Sequence, residues 1–277
     1  MEHAVLMRRA LVTALWLATG CFSTPDLGRG PFQCDMKDPR CPDRETCVDE
    51  LCESLGFVEL APVRFPRGCD LGPDCPVDAQ PMRMISLSRF QLQDHEVTQR
   101  EYDHCVTKGK CATPLEPFYD PQAQPDLPVR GVSKDSAETY CHSIAGRLPT
   151  EAEWERAARE HGGPYPWGTA EPTCRLANYG ACGGAVTIQR TDGGTPSGLH
   201  DLAGNVREWV SDRYAQNYYE TSTADTNPTG PDSGEVGVVR GGGFLSGSAA
   251  LRVWWREQVP RTTAPEDVGV RCARGPD

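Results

Sequence analysis

Positive charge is in short supply along this chain. Its 28 Lys and Arg stand against 39 Asp and Glu, for a formal net charge of −11. No block of basic residues interrupts the acidic background. The electrostatic footprint that a phosphate backbone requires is missing, which argues against a nucleic-acid partner. The negative charge itself reads as solubility. Histidine is scarce as well. Of six, His3 lies at the extreme N-terminus, and His95, His104, His142, His161 and His200 form no i, i+4 pair that could grip a metal from one helix face. Long apolar runs are lacking too. The apolar stretch at residues 10–18 is too short to cross a bilayer as a stable helix.

Glycine (28) and proline (24) are plentiful, which favours turns and irregular loops over long helices or a doubly wound sheet. Thirteen cysteines in an acidic chain point to an oxidising compartment, and the odd count implies one cysteine with a separate task. Residues 1–21 supply it. Arg8 and Arg9 form a positive leader, residues 10–18 an apolar core, and Met7 opens such a signal better than Met1 does. Ala18-Thr19-Gly20-Cys21 resembles a bacterial lipobox, with Ala18 where leucine is usual. The resemblance implies cleavage before Cys21 and a lipid on its sulfur. The protein would then be a membrane-anchored lipoprotein of the bacterial cell envelope, facing periplasm or exterior. One chain holds a bilayer marginally and several hold it stably. The other reading is an ordinary cleaved signal with Cys21 paired elsewhere.

Residues 22–55 read as a Cys-rich neck. Cys34, Cys41, Cys47 and Cys52 fall in a segment with almost no apolar content, so disulfides must hold it. Zinc is the rival, but zinc sites prefer tight paired spacings and only the last gap fits. The connectivity is left open, and the neck's expected role is that of a spacer or contact module.

The main domain is expected from residue 56 to 277. Residues 84–92 alternate apolar and polar, the pattern of one half-buried strand. Thr98 with Glu101 forms a capping box that opens a helix. Ser133 caps a second helix running to about Ile144, with Gly146 placed for its C-terminal cap. Thr150 with Glu153 opens a third, ending near Glu160. Beyond Gly162 turns and short strands dominate. Cys69 pairs with Cys75, Cys105 with Cys111, and Cys174 with Cys182, each closing a short loop.

Five phrases in the second half belong together: residues 146–155 (Gly-Arg-Leu-Pro-Thr-Glu-Ala-Glu-Trp-Glu), 165–168 (Tyr-Pro-Trp-Gly), 204–209 (Gly-Asn-Val-Arg-Glu-Trp), 239–244 (Val-Arg-Gly-Gly-Gly-Phe) and 269–272 (Gly-Val-Arg-Cys). In this order they resemble the formylglycine-generating enzyme family, the sulfatase-modifying factors, over roughly residues 56–274. His95-Glu96-Val97-Thr98 and Tyr102 match the family's entry into its first helix. The resemblance implies an α+β, C-type-lectin-like formylglycine-generating-enzyme fold, rich in loop, behind the small disulfide-rich N-terminal segment. It implies a long-range disulfide from Cys141 to Cys272. It also implies calcium, bound by two carboxylates and two backbone carbonyls at Asp201, Gly204, Val206 and Glu208, because a hard cation takes oxygens. Asn178 and Tyr179 match part of a second calcium site, with Asp192 the guess for its acid. The alternative is that Asn205 and Glu208 satisfy loop amides without metal.

The family's oxidase holds copper(I) between two cysteines placed five residues apart after its Arg-Gly-Gly phrase, since the soft ion prefers thiolate. Anchoring on Arg240-Gly241-Gly242 puts Ser246 and Leu251 there, and no cysteine occurs between Cys182 and Cys272. A catalytic copper pair is therefore not expected. Ser246 as a nucleophile would need a base. His200 is the nearest histidine in sequence, and nothing in the sequence brings the two together. Iron-dependent sulfoxide synthases share the fold but add a helical domain with iron-binding histidines, which is not expected here. Trp254, Trp255 and Arg256 fall where the family lines its groove, and aromatic rings there could hold a peptide or glycan; the competing reading puts both rings in the core. The expected function is binding of an envelope protein, peptide, glycan or small ligand. The alternative is an active formylglycine-generating or related oxidative modifying enzyme.

Overall fold

The computed structural model of the chain describes residues 46–48, 51–53, 56–70 and 72–275. The first strands are β1 (Thr46–Val48), β2 (Leu51–Glu53), β3 (Phe57–Leu60), β4 (Val63–Arg67), β5 (Arg83–Leu87) and β6 (Phe90–Gln93). Three helices follow: α1 (Gln99–Thr107), α2 (Lys134–Ser143) and α3 (Glu151–Ala158). The remainder holds β7 (Arg207–Arg213), the one-turn α4 (Tyr218–Thr221), β8 (Val236–Arg240), β9 (Glu257–Pro260), β10 (Val268–Gly269) and β11 (Ala273–Arg274). The strands form a four-stranded sheet in the order β10-β7-β8-β9, a three-stranded sheet β11-β6-β3, and the ladders β1-β2 and β4-β5. This is an α+β molecule with much loop.

Cys47 and Cys52 are register partners in the β1–β2 ladder. The expected signal and lipidation at Cys21, and the pairing among Cys34, Cys41, Cys47 and Cys52, lie outside the described residues and side chains.

The single strand expected over residues 84–92 is two strands. Ile85 and Leu87 are buried, and so are Phe90 and Leu92. In one continuous strand these two sets have opposite parity and face opposite sides. A break at Ser88-Arg89 turns both sets inward. It frees β5 to pair with β4 and β6 to pair with β3 and β11. The Ser88 amide, now outside a ladder, donates to Asn227 Oδ1 at 2.8 Å.

The helices start where their caps predict. Thr98 and Glu101 close a capping box, as do Thr150 and Glu153. The Ser133 side chain accepts from the Ser136 amide. At the end of α2 the left-handed residue is Ala145 (φ 56°), not Gly146. Gly146 donates its amide to the Cys141 carbonyl at 2.8 Å. A side chain at Gly146 would stand 2.9 Å from the Ala273 carbonyl, so that position needs glycine for room rather than for φ. α3 ends at Ala158, two residues short of the expected Glu160.

Four disulfides join Cys69 to Cys75, Cys105 to Cys111, Cys141 to Cys272, and Cys174 to Cys182. The Cys141–Cys272 bridge ties α2 to the segment before β11 inside a cluster with Tyr102, Tyr140, Trp209 and Val270. A second cluster packs Trp154 of α3 against Phe65, Ile85, Phe90 and Val238. Between α3 and the sheets lies a buried ion network, in which Glu151 and Glu155 bind Arg240 and Glu151 also binds Arg256.

Candidate functional site

The segment after β8 carries the positions that matter. Gly241 (φ 92°) and Gly242 (φ 65°) turn the chain sharply, and a side chain at Gly242 would crowd the Ala250 backbone at 3.1 Å. The turn then closes on itself. The Gly243 amide donates to Ser246 Oγ at 3.0 Å and the Ser246 amide to the Gly243 carbonyl at 2.8 Å. The Ser246 carbonyl accepts from the Gly180 amide at 2.9 Å, which joins this turn to the loop closed by Cys174–Cys182. Five residues on, Leu251 is 1% exposed and packs with Tyr165, Ala177 and Ala203.

Copper(I) does not fit this pair. A hydroxyl is a hard, poor ligand for it, and a leucine buried among carbon atoms is none. The eight cysteines of residues 56–275 are all in disulfides. No hydrogen bond joins Ser246 to His200 among the described residues. His200 is anchored through its own backbone, with its amide donating to the Asp94 carbonyl and its carbonyl accepting from Arg271.

The loop ahead of β7 holds three left-handed residues in five: Asp201 (φ 55°), Gly204 (φ 95°) and Asn205 (φ 60°). Each oxygen of its carboxylates already accepts from the protein. Asp201 takes the Gln189 amide at 2.6 Å and the Thr191 hydroxyl at 2.9 Å. Glu208 takes Trp154 Nε1 at 2.7 Å on one oxygen and Arg271 at 2.8–2.9 Å on the other. Gly204 must be glycine, since a Cβ there would meet the Asn178 carbonyl at 2.5 Å. The Asn205 side chain bridges Glu96, Val186 and Asn178.

Glu96 completes this centre, accepting from the Val206 amide at 2.9 Å as well as from Asn205. Burial, with Asp201 and Glu208 nearby, pushes its carboxyl well above the ordinary range, against the pull of Arg271. The phrase His95-Glu96-Val97-Thr98 signals a helix entry and says nothing of Glu96's reach across more than a hundred residues.

As a seat for calcium, the two sets differ. Arg271 already supplies positive charge at Glu208. Among the described residues no group of three or more His, Cys, Asp or Glu side chains is gathered to hold a metal. At the other set, Asn178 Oδ1 is buried and has no hydrogen-bond partner among the described residues, an oxygen of the type a hard cation takes. The Tyr179 hydroxyl donates to the Pro172 carbonyl at 3.4 Å, and Asp192 is exposed and paired with Arg175 at 2.9 Å.

The expected groove residues separate. Trp254 lines a cavity of about 560 Å³ together with Arg159, Arg252, Asp70, Asp74 and Glu171. Its Nε1 donates to the Asp74 carbonyl at 3.0 Å, fastening the Cys69–Cys75 loop as one wall. Arg252 binds the Asp74 carboxylate at 3.1 Å. Trp255 does not line this cavity, and its Nε1 donates to Glu257 at 3.1 Å. Arg256 is a correction. It is 4% exposed and grips Glu151 through two bonds of 2.6 and 2.9 Å, with a third to the Asp78 carbonyl at 2.7 Å. Glu151 leaves it no freedom to meet a ligand. The Cys69–Cys75 wall went unseen in the sequence because it meets Trp254 from 180 residues away.

Comparison with known proteins agrees with this architecture. Serine/threonine-protein kinase pkn1 of Chlamydia caviae is 31% identical over 252 residues, covering 81% of this chain and 38% of the kinase. The formylglycine-generating enzyme of Streptomyces coelicolor is 35% identical over 180 residues, covering 57% of this chain and 56% of the enzyme. The chain thus spans less than two thirds of either relative. The solved structure of PvdO from Pseudomonas aeruginosa superposes with a TM-score of 0.67 at 22% identity, over 79% of this chain and 94% of that one, which shows a shared fold. The sequence model of the FGE-sulfatase family, the sulfatase-modifying factor enzyme 1-like domain, matches residues 56–276. With that match across most of its length, and with the α+β loop-rich fold of its relatives, the chain belongs to the formylglycine-generating enzyme (sulfatase-modifying factor) family.

Proposed function

We propose that this chain is a non-copper member of its family that holds a ligand in the Trp254 cleft at a bacterial cell envelope. The observation that carries the reading is the state of the two copper positions. Leu251 is buried in a carbon cluster and Ser246 Oγ is held within its own turn. No step of oxygen chemistry through copper is available to such a pair. What the geometry offers instead is a fixed indole beside a cavity of ligand size. The test incubates the protein with copper(I), oxygen and a Cys-containing peptide, then traps aldehyde with a hydroxylamine probe. No aldehyde above the protein-free control is expected; catalytic aldehyde formation would overturn the reading.

The envelope location in this proposal is supported by the Ala18-Thr19-Gly20-Cys21 resemblance, and mass spectrometry of the mature N-terminus checks it by the presence of a lipid on Cys21. Calcium belongs to the proposal as a structural ion on the Asn178 side, supported by the unpartnered Oδ1. The second reading, an oxidative modifying enzyme, is supported by the identity with the Streptomyces coelicolor formylglycine-generating enzyme. The aldehyde trap decides between them.

A further inference from the structure

The disulfides differ in how far solvent reaches them. Of the eight bridged cysteines of residues 56–275, one alone is exposed, and it is Cys174. Its partner Cys182 is half-buried. Cys105, Cys111, Cys141 and Cys272 are buried, none more than 8% exposed. In the remaining bridge Cys69 is buried and Cys75 half-buried. A disulfide opens when a thiolate attacks one of its sulfurs, so access decides which bridge reacts first.

The loop between Cys174 and Cys182 has anchors besides its bridge. The Leu176 and Ala177 amides donate to the Thr173 carbonyl at 2.9 and 3.0 Å, and the Cys182 amide to the Tyr179 carbonyl at 2.7 Å. The Asn178 carbonyl accepts from the Asn205 amide at 2.6 Å, and the Gly180 amide donates to the Ser246 carbonyl at 2.9 Å. Ala177 and Asn178 are buried. Opening the bridge therefore leaves the loop seated and its two sulfurs near enough to rejoin. It also frees little chain, since this bridge spans 8 residues where Cys141–Cys272 spans 131. The Ala177 carbonyl lies 3.6 Å from Cys182 Sγ, so a thiol released there finds its acceptor in place.

We propose that Cys174–Cys182 is a reversible thiol–disulfide exchange site whose partner is a thiol. The thiolate attacks Cys174 Sγ, the sulfur of the exposed residue. A new S–S bond forms there and the Cys174–Cys182 bond breaks. Its electron pair leaves on Cys182 Sγ, which takes a proton from water and donates that hydrogen to the Ala177 carbonyl. A second thiolate attacks the incoming sulfur of the mixed disulfide and releases Cys174 as a thiolate, which is protonated in turn. Two thiols have become one disulfide, and one disulfide has become two thiols. An external disulfide runs the same steps backwards. Exposed bridges of this kind are the labile ones, while buried bridges resist reduction. The inference is independent of the Trp254 cleft and of any ligand held there.

The test treats the full, oxidised chain with dithiothreitol and, separately, with glutathione, quenches by alkylation and maps each cysteine by mass spectrometry. Trypsin cuts after Arg175, so Cys174 and Cys182 report on separate peptides. Dithiothreitol opens Cys174–Cys182 about tenfold faster than any other bridge of residues 56–275, with the near-UV circular dichroism unchanged. Glutathione appears as a mixed disulfide on Cys174 while Cys182 is alkylated, and glutathione disulfide restores the bridge. The double variant Cys174→Ser with Cys182→Ser folds and releases no thiol from residues 56–275 under the same treatment. The inference is overturned if another of these bridges opens first, or if Cys174–Cys182 opens only where the near-UV signal collapses. It is overturned equally if glutathione forms no adduct or sits on Cys182. A double variant that fails to fold also overturns it, because the bridge would then be structural.

Discussion

Replacing Arg256 by methionine tests its role in the core. The guanidinium holds Glu151 through two bonds, reaches the Asp78 carbonyl, and lies 4.4 Å from the Tyr219 ring centre and 5.2 Å from that of Tyr214. Both members of the pair have side chains with 0% exposure. Burial alone would lower the arginine's pKa, yet the Glu151 carboxylate more than offsets it and holds the charge firmly. Breaking a buried pair by removing one member costs about 3–5 kcal/mol, because the other charge stays behind. Arg240 remains 3.4 Å from Glu151 and softens that loss. The Asp78 carbonyl loses its donor, at about 1 kcal/mol. The expected cost of Arg256→Met is therefore about 4 kcal/mol, or a drop of roughly 1–2 M in urea midpoint for a domain of this size. The double variant with Glu151→Gln should cost less than the sum of its parts, since the stranded charge is then gone. Equilibrium urea unfolding by fluorescence, with disulfides intact, measures the stability. A loss under about 1 kcal/mol would contradict a core role for Arg256.

Three further outcomes follow from the same structure. The Cys141–Cys272 bridge spans 131 residues and Cys174–Cys182 spans 8; on chain entropy alone their double alanine variants lose about 5 and about 2–3 kcal/mol in turn, and equal losses would contradict that. His95 is buried, which lowers its pKa, but its hydrogen bonds to Asp94 and Glu101 prevail and raise it to about 9. A pKa above the unfolded value means that its contribution, roughly 3 kcal/mol, is fully present below pH 6.5 and is lost as pH rises through 9. His95→Gln should flatten the urea midpoint over that window, and an unchanged pH profile would refute it. Calcium in hundredfold excess over its dissociation constant should raise stability by about 2.7 kcal/mol, an increment that Asn178→Ala removes; a midpoint indifferent to calcium and chelator sinks that part of the proposal.

What could be read in the sequence was local or carried by ordered phrases. Both capping boxes depend on residues three apart and were legible, as were the disulfides of six- and eight-residue spacing. The Cys141–Cys272 bridge was reached only through the family resemblance, because no local signal joins residues 131 apart. The split of residues 84–92 was missed because simple alternation hides a change of parity; the clue was that buried Ile85 and Leu87 are odd-numbered and buried Phe90 and Leu92 even. Arg256 was placed in the groove through the family resemblance, and no local signal revealed its partner Glu151, 105 residues away. The cleft itself arises where a loop near residue 70 meets Trp254, a contact that no pattern in either segment announces.

The proposed reading turns on Ser246 and Leu251 standing where copper(I) would need two thiolates. The decisive measurement is a copper(I) titration of the chain with free thiols counted before and after. No stoichiometric tight binding and no reactive thiol are expected, since the eight cysteines of residues 56–275 are held in disulfides. Tight one-to-one binding that consumes two thiols would contradict it and restore an oxidase site.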